Sequence, residues 1–232
     1  MKNYTLNPHV AEVERSFMQK VYVWMSSALF VSGFIAYYLA SYQAELLFSL
    51  LKNPAVFYGI LIGQVGIAIA LGGFSRKMNM ATSLVFFYLY AISIGITFAG
   101  LFFVYTLGSI ATTFFITAGT FSFMAIYGYT TKADLSTMGN IAFMGLIGVI
   151  IASLVNIFLK NDSFQLIISF IGVLVFVALT AYDTQKLKEI AHNADLNQES
   201  GQKIALLGAF SLYLDFINLF LYLLRFFGNN RD

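Results

Sequence analysis

Residues Thr180 to Arg225 read TAYDTQKLKEIAHNADLNQESGQKIALLGAFSLYLDFINLFLYLLR. One apolar run closes on Tyr182 and Asp183, a polar turn follows, and a second apolar run carries Asp215 in its middle. Apolar runs joined by a short polar turn predict two antiparallel helices crossing a bilayer. An ionised carboxylate at bilayer depth costs about 3 kcal/mol even on lenient insertion scales, so both aspartates should point into protein. The polar turn runs over 193–202, and Asp183 and Asp215 are each sixteen residues from Glu199. Residues equidistant from such a turn lie at one depth, so the two carboxylates are expected to face one another. A plainer alternative stays open, in which a hydroxyl or an arginine satisfies each aspartate separately and the acids only help helices pack.

The rest of the chain is made of the same material. Of its 232 residues 59% are hydrophobic and 10% charged, and the mean hydropathy is +0.78, far from the balance of a soluble domain. Spans are expected at roughly 21–41, 54–74, 81–105, 109–129, 139–159, 164–184 and 204–225. The expected fold class is therefore all-α, a polytopic membrane protein whose seven transmembrane helices form one domain over 1–232. A β-barrel would show alternating segments of about ten residues instead. The absence of cysteine excludes disulfides and thiolate metal sites. A formal net charge of +2 is too small to imply a nucleic-acid partner.

The first twenty residues, MKNYTLNPHVAEVERSFMQK, are polar and lack the apolar core of a secretory signal. Val10, Val13 and Phe17 predict a short amphipathic helix lying at the surface before the first span, with His9 solvated. Pro54 suits the opening of a helix. Gly59 and Gly63, and the series Ala91, Gly95 and Ala99, have the spacing of helix-contact motifs. In the connection YGYTTKADLSTMG, Asp134 or Ser136 is expected to cap the following helix.

Basic residues set the orientation. With the N-terminus cytoplasmic, that side holds Lys2, Arg15, Lys20, Arg76, Lys77, Lys132, Lys186, Lys188 and Lys203, against Lys52, Lys160, Arg225 and Arg231 on the other. Nine against four favours the N-terminus inside, and seven crossings then leave the C-terminus outside. A last helix that enters and turns back would return it to the cytoplasm.

Two carboxylates in contact cannot both ionise cheaply and titrate as a coupled pair, which makes them a pH sensor. They also offer oxygens to a hard cation such as Ca²⁺, short of its usual six to eight ligands unless neighbours complete the shell. Arg76, in GGFSRKMNM, is the candidate counter-charge; it also fits the role of a simple border residue. Asn218, three residues after Asp215, and Tyr182 are candidate polar lining. Arg225 is expected as an interface anchor, and His192 as an ordinary residue of a charged turn. No nucleophilic triad, phosphate loop, zinc signature or dinucleotide fingerprint is present.

The segments ALTAYDTQKLK, LGAFSLYLDFINLFLYLLRFFG and YTTKADLSTMG together resemble the Bax inhibitor 1 family, also called transmembrane Bax inhibitor motif proteins. The resemblance covers essentially all the spans. It implies seven helices with the last one central, and a pH-dependent Ca²⁺ leak with no other cofactor. It further implies that Asp183 and Asp215 are the pH-sensing pair and Arg76 their latch. Eukaryotic members sit in endoplasmic-reticulum and Golgi membranes and suppress cell death, whereas bacterial ones sit in the inner membrane and some bind a membrane protease. The short polar N-terminus looks like that of a bacterial member.

Three classes of function follow as expectations. The first is a Ca²⁺ leak channel gated by protonation of the aspartates, its partners being the lipid bilayer, Ca²⁺ and H⁺. The second is a regulator that binds a membrane protease or channel. The third is an intramembrane aspartyl protease, for which paired acids are suited but for which SLYLDF lacks the Gly-x-Gly-Asp context. Of these the first is expected, so no enzyme activity is.

Overall fold

The computed structural model describes residues 8–74, 77–192, 194 and 196–229. They form helices α1 (Pro8–Tyr42), α2 (Ala44–Lys52), α3 (Pro54–Phe74), α4 (Met80–Ala99), α5 (Leu101–Val104), α6 (Leu107–Thr130), α7 (Ser136–Leu159), α8 (Asp162–Ala191) and α9 (Glu199–Phe227). Seven stretches are long and apolar enough to span a bilayer: Ala11–Tyr42, Pro54–Phe74, Met80–Val104, Leu107–Thr130, Ser136–Leu159, Asp162–Ala191 and Glu199–Phe227. The chain is thus an all-α polytopic membrane protein. Its outward side chains agree, since Phe30, Ile62, Phe115 and Phe158 are all exposed, an arrangement suited to lipid and not to water.

Pro54 starts α3 as expected, whereas the residue that precedes α7 is Leu135, without a side-chain cap bond, in place of the expected Asp134 or Ser136. The Asn53 side chain accepts from the backbone N–H of Ala55 at 3.0 Å. Asn79 caps α4 by accepting from Thr82 N–H at 2.8 Å, and Thr106 caps α6 through Ser109 N–H. Asp134 accepts from Ser136 N–H at 2.8 Å just before α7. The turn between α7 and α8 is only Lys160 and Asn161. Lys160 takes a left-handed conformation, φ 49°, and Asn161 accepts from Phe164 N–H at 2.9 Å to start α8. Unbroken over 29 residues, α9 offers no place for a helix to enter and turn back.

The N-terminal expectation needs correction. Among the described residues no separate surface helix precedes the first span, because α1 runs without interruption from Pro8. Glu14, Phe17, Met18, Val21, Met25, Ala28, Ser32 and Ala36 are all buried. Most of these positions recur every three or four residues, and of the expected pattern Phe17 belongs to this core-facing stripe and Val13 is half-buried, while the Val10 side chain lies outside the described residues. The side chain of His9 lies outside the described residues.

Two compact units divide the chain, Met1–Val104 with Ile190–Tyr213, and Tyr105–Glu189 with Leu214–Asp232. In the first, α1 and α4 meet closely at Gly95, where an added Cβ would lie 2.8 Å from both Ile35 Cβ and the Ser32 carbonyl oxygen. Ser32 holds the fully buried Tyr213 hydroxyl at 2.7 Å, and Phe87 and Tyr90 set their rings edge-on to Phe210. The Gly59 and Gly63 pair behaves differently, with nothing within 4 Å of an added Cβ at either. The expected contact motif of α3 has no partner among the described residues, whereas the α4 series does.

In the second unit α7, α8 and the end of α9 pack in a register that three independent contacts define. Gly139 meets the Tyr182 ring, Gly145 meets Val175, and Gly172 meets the Tyr222 ring. Gly128 of α6 lies directly against the Ala181 backbone. At each of these points glycine lets a ring or a backbone approach that a side chain would hold off. The last span is the most enclosed: 67% of its most apolar window is buried, against 44% for the sixth and less for the others.

Candidate functional site

Phe176 of α8 and Tyr222 of α9 stack with ring centroids 5.8 Å apart. Seven residues are close to two full helical turns, so stepping seven residues along each of two antiparallel helices returns to the same faces about 10 Å further on. From Phe176 that step reaches Asp183; from Tyr222, in the opposite chain direction, it reaches Asp215. Thr180 and Asn218 stand between, four residues from the rings on each helix. The ring contact therefore puts the two aspartates on facing sides of α8 and α9, within about one turn of a common level, since the Tyr222 ring also meets Gly172 one turn before Phe176.

Asp215 is 5% exposed, and its Oδ2 has no hydrogen-bond partner among the described residues. The charge of Asp183, which is half-buried, acts on it. An orphaned carboxyl oxygen in this setting is costly, and a proton, a cation or a counter-charge would satisfy it. The two acids are thus brought together, although not for the reason of symmetry about the turn. The helices end at Ala191 and start again at Glu199, so the connection is centred near position 195, and Asp183 lies closer to it than Asp215.

The remaining candidates divide. Asn218 is half-buried and donates to the Leu214 carbonyl of its own helix at 2.8 Å, which leaves its side-chain oxygen available to the row below the rings. Tyr182 turns to α7, its ring against Gly139, and so forms a wall between α7 and α8. Arg225 sits with its guanidinium 5.9 Å from the Tyr222 ring. Arg76 lies outside the described residues. As for metal, no group of three or more His, Cys, Asp or Glu side chains gathers among the described residues, so a cation at Asp183 and Asp215 would need neutral oxygens to complete its shell.

Three features escaped sequence reasoning. Gln185, two residues after Asp183 and so on another face of α8, clamps the α6–α7 connection: its amide nitrogen donates to the Ala133 carbonyl at 2.8 Å and its oxygen accepts from Leu135 N–H at 2.8 Å. Lys188 adds a bond to the Tyr129 carbonyl at 3.0 Å and lies over that residue's ring. The same connection carries Asp134, whose carboxyl the Ser136 hydrogen bonds hold below the usual carboxylate range. Glu14, only 3% exposed, has His192 Nε2 2.7 Å from its Oε1, so His192 is a partner of α1 and more than a solvated turn residue. A third feature is the ring pair itself. A glutamine after an Asp-Thr pair is the one sequence signal for the clamp; the other two join residues far apart in the chain.

The family described as "Inhibitor of apoptosis-promoting Bax1" matches residues 14–232. "Inner membrane protein YbhL" of Escherichia coli K12 is 47% identical over 220 residues, covering 94% of this chain and 93% of that one. "Uncharacterized protein RP147" of Rickettsia prowazekii is 46% identical over 219 residues, 94% of this chain and 91% of the relative. An uncharacterized protein of Borreliella burgdorferi is 41% identical over 222 residues, 95% and 94%. With a match across nearly its whole length and relatives this similar, the chain belongs to the Bax inhibitor family of multi-pass membrane proteins.

Proposed function

We propose that the chain is a pH-sensitive cation leak pathway of a bacterial inner membrane, conducting Ca²⁺ and gated by protonation of Asp183 and Asp215, with its N-terminus in the cytoplasm. The observation that carries the reading is the buried Asp215 carboxyl, with one oxygen orphaned and the Asp183 charge acting on it. Loss or gain of a proton there changes the charge enclosed between two packed helices. A helix pair that tolerates one charge state must rearrange or admit a cation in the other. Ca²⁺ suits carboxylate, amide and hydroxyl oxygens, the donor types of Asp183, Asp215, Asn218 and Thr180. The bacterial inner membrane is supported by the printed name of the Escherichia coli relative, and the cytoplasmic N-terminus by nine basic residues against four. Arg76 retains its proposed place as the latch for the ionised acid. No catalytic role is assigned to the aspartates.

The test is Ca²⁺ entry into dye-loaded proteoliposomes across pH 5 to 8 for the natural chain, Asp183→Asn and Asp215→Asn. The natural chain should change its rate at least tenfold over this range, and either substitution should flatten the profile. A profile that Asp215→Asn leaves unchanged sinks the mechanism. Should purified protein pass no Ca²⁺ at any pH, co-purification of a membrane protease, with the aspartates intact and then neutralised, becomes the measurement that favours the regulatory reading.

A further inference from the structure

Along α9, Asp215, Asn218, Tyr222 and Arg225 succeed one another at intervals of three and four residues and share one face. Asp183, Thr180 and Phe176 do the same on α8. The rows are polar at the aspartates and polar again one turn on. At Phe176 and Tyr222 they become a stack of two rings, 24° from parallel. Beyond the rings polarity returns from α7, where Asn156 is bonded to Gln165 at 2.9 Å. There the Ser153 hydroxyl and the Gln165 amide nitrogen are buried without hydrogen-bond partners among the described residues. The Ser153 hydroxyl is within hydrogen-bonding reach of the Tyr222 hydroxyl, whereas the Gln165 amide nitrogen has no such neighbour. A buried amide nitrogen without a protein partner calls for water, and with the Ser153 and Tyr222 hydroxyls close by it marks a place for water on that side of the aromatic stack.

We propose that the Phe176–Tyr222 ring pair, seated on Gly172, is a hydrophobic constriction that separates the aspartate level from a second, hydrated compartment at Ser153 and Gln165. This rests on the cation-path reading of the same helices and names the barrier within it. The seat is specific: an added Cβ at Gly172 would lie 2.7 to 2.8 Å from three atoms of the Tyr222 ring, so the ring rests on bare backbone. Phe176, 4% exposed, covers its other side. A constriction of this kind blocks ions by excluding their water, and it opens when a ring leaves. The Arg225 guanidinium over Tyr222 adds a fixed positive charge beside the barrier.

The natural chain has no cysteine, so single-cysteine variants report access directly through the thiolate, which forms only where water reaches. Ser153→Cys and Asn218→Cys would be treated with a charged, membrane-impermeant thiosulfonate in sealed vesicles of both orientations. Ser153→Cys should react from the side that carries the Lys160–Asn161 turn. Asn218→Cys should be shielded from that side, and should react at least tenfold faster once Tyr222→Ala, or separately Phe176→Ala, is added. Tyr222→Leu, which keeps bulk, should leave it shielded. An unreactive Ser153→Cys, or an Asn218→Cys rate indifferent to both ring deletions in folded protein, overturns the constriction. Labelling needs no ion flux, so the two ideas fail separately. A pH-dependent Ca²⁺ leak with ring-independent labelling refutes only the barrier; ring-dependent labelling without any leak supports the barrier and refutes the calcium reading.

Discussion

Gly128→Ala is the sharpest test of the packing that holds Asp183 in place. A methyl at Gly128 would collide with the Ala181 carbonyl oxygen and sit 2.9 Å from both its carbonyl carbon and its Cα, where ordinary contact begins at 3.4 Å. The obstacle is backbone and has no rotamer to change, so α6 and α8 must part by about half an ångström or more. Overpacking of this kind costs about 1–3 kcal/mol, against a gain of about 0.5–1 kcal/mol from replacing glycine inside a helix. The difference lies between about 0 and 2.5 kcal/mol, toward the upper end because the obstacle is backbone, and corresponds to a melting point lower by up to about 10 °C for a chain of this size. Gly63→Ala is the matched control: nothing stands within 4 Å of the new methyl, so only the helical gain remains and the melting point should rise by about 1–4 °C. Thermal denaturation in one detergent, followed by loss of the monodisperse size-exclusion peak, measures both. If Gly128→Ala melted at or above the natural protein, or Gly63→Ala fell alongside it, the contact argument for the α6–α8 seam would be wrong.

Two further outcomes follow from buried bonds. Ser32→Ala strands the Tyr213 hydroxyl, 0% exposed, and should cost about 1–3 kcal/mol, while Tyr213→Phe leaves Ser32 bonded to the Ala28 and Ala91 carbonyls and should cost about 1 kcal/mol or less; equal melting points for the two variants would contradict this. Gln185→Ala removes both clamp bonds at once, so amide exchange at Leu135 should accelerate at least tenfold while exchange in the middle of α7 stays unchanged. An unaltered Leu135 rate would show that the loop is held by something else.

Much of this molecule is written in hydropathy. The third, fourth and fifth spans lie within three residues of the apolar runs that predict them, and the second coincides with its run, because Asn53 and Pro54 mark its start by local chemistry. The sixth runs seven residues further and the seventh starts five earlier, because both helices continue into polar sequence. The boundary that moved most is the first, where a charged residue inside the stripe hid its continuity: Glu14 reads as surface until His192 is seen against it. Small residues were equally ambiguous. Gly59–Gly63 and the Gly95 series look alike as spacing, and only the neighbouring helix tells which of them meets a backbone. The aspartates were legible because an acid inside an apolar run demands enclosure. Their common level was deduced from a symmetric turn, yet it follows from the Phe176–Tyr222 register, which no local pattern reports. Gln185 eluded the same reading because its partners are backbone groups of a distant connection.

The two-residue turn at Lys160 and Asn161 bears on biogenesis. A nascent segment carrying Asn156 alone, or Gln165 alone, would present an unpaired amide to the acyl chains as it left the translocon. With so short a link the two segments can enter as a hairpin whose amides already bond each other at 2.9 Å. Co-translational insertion then meets one bonded pair, with only the Gln165 amide nitrogen left to satisfy, in place of two separate penalties, and lengthening that link is the manipulation that would restore them.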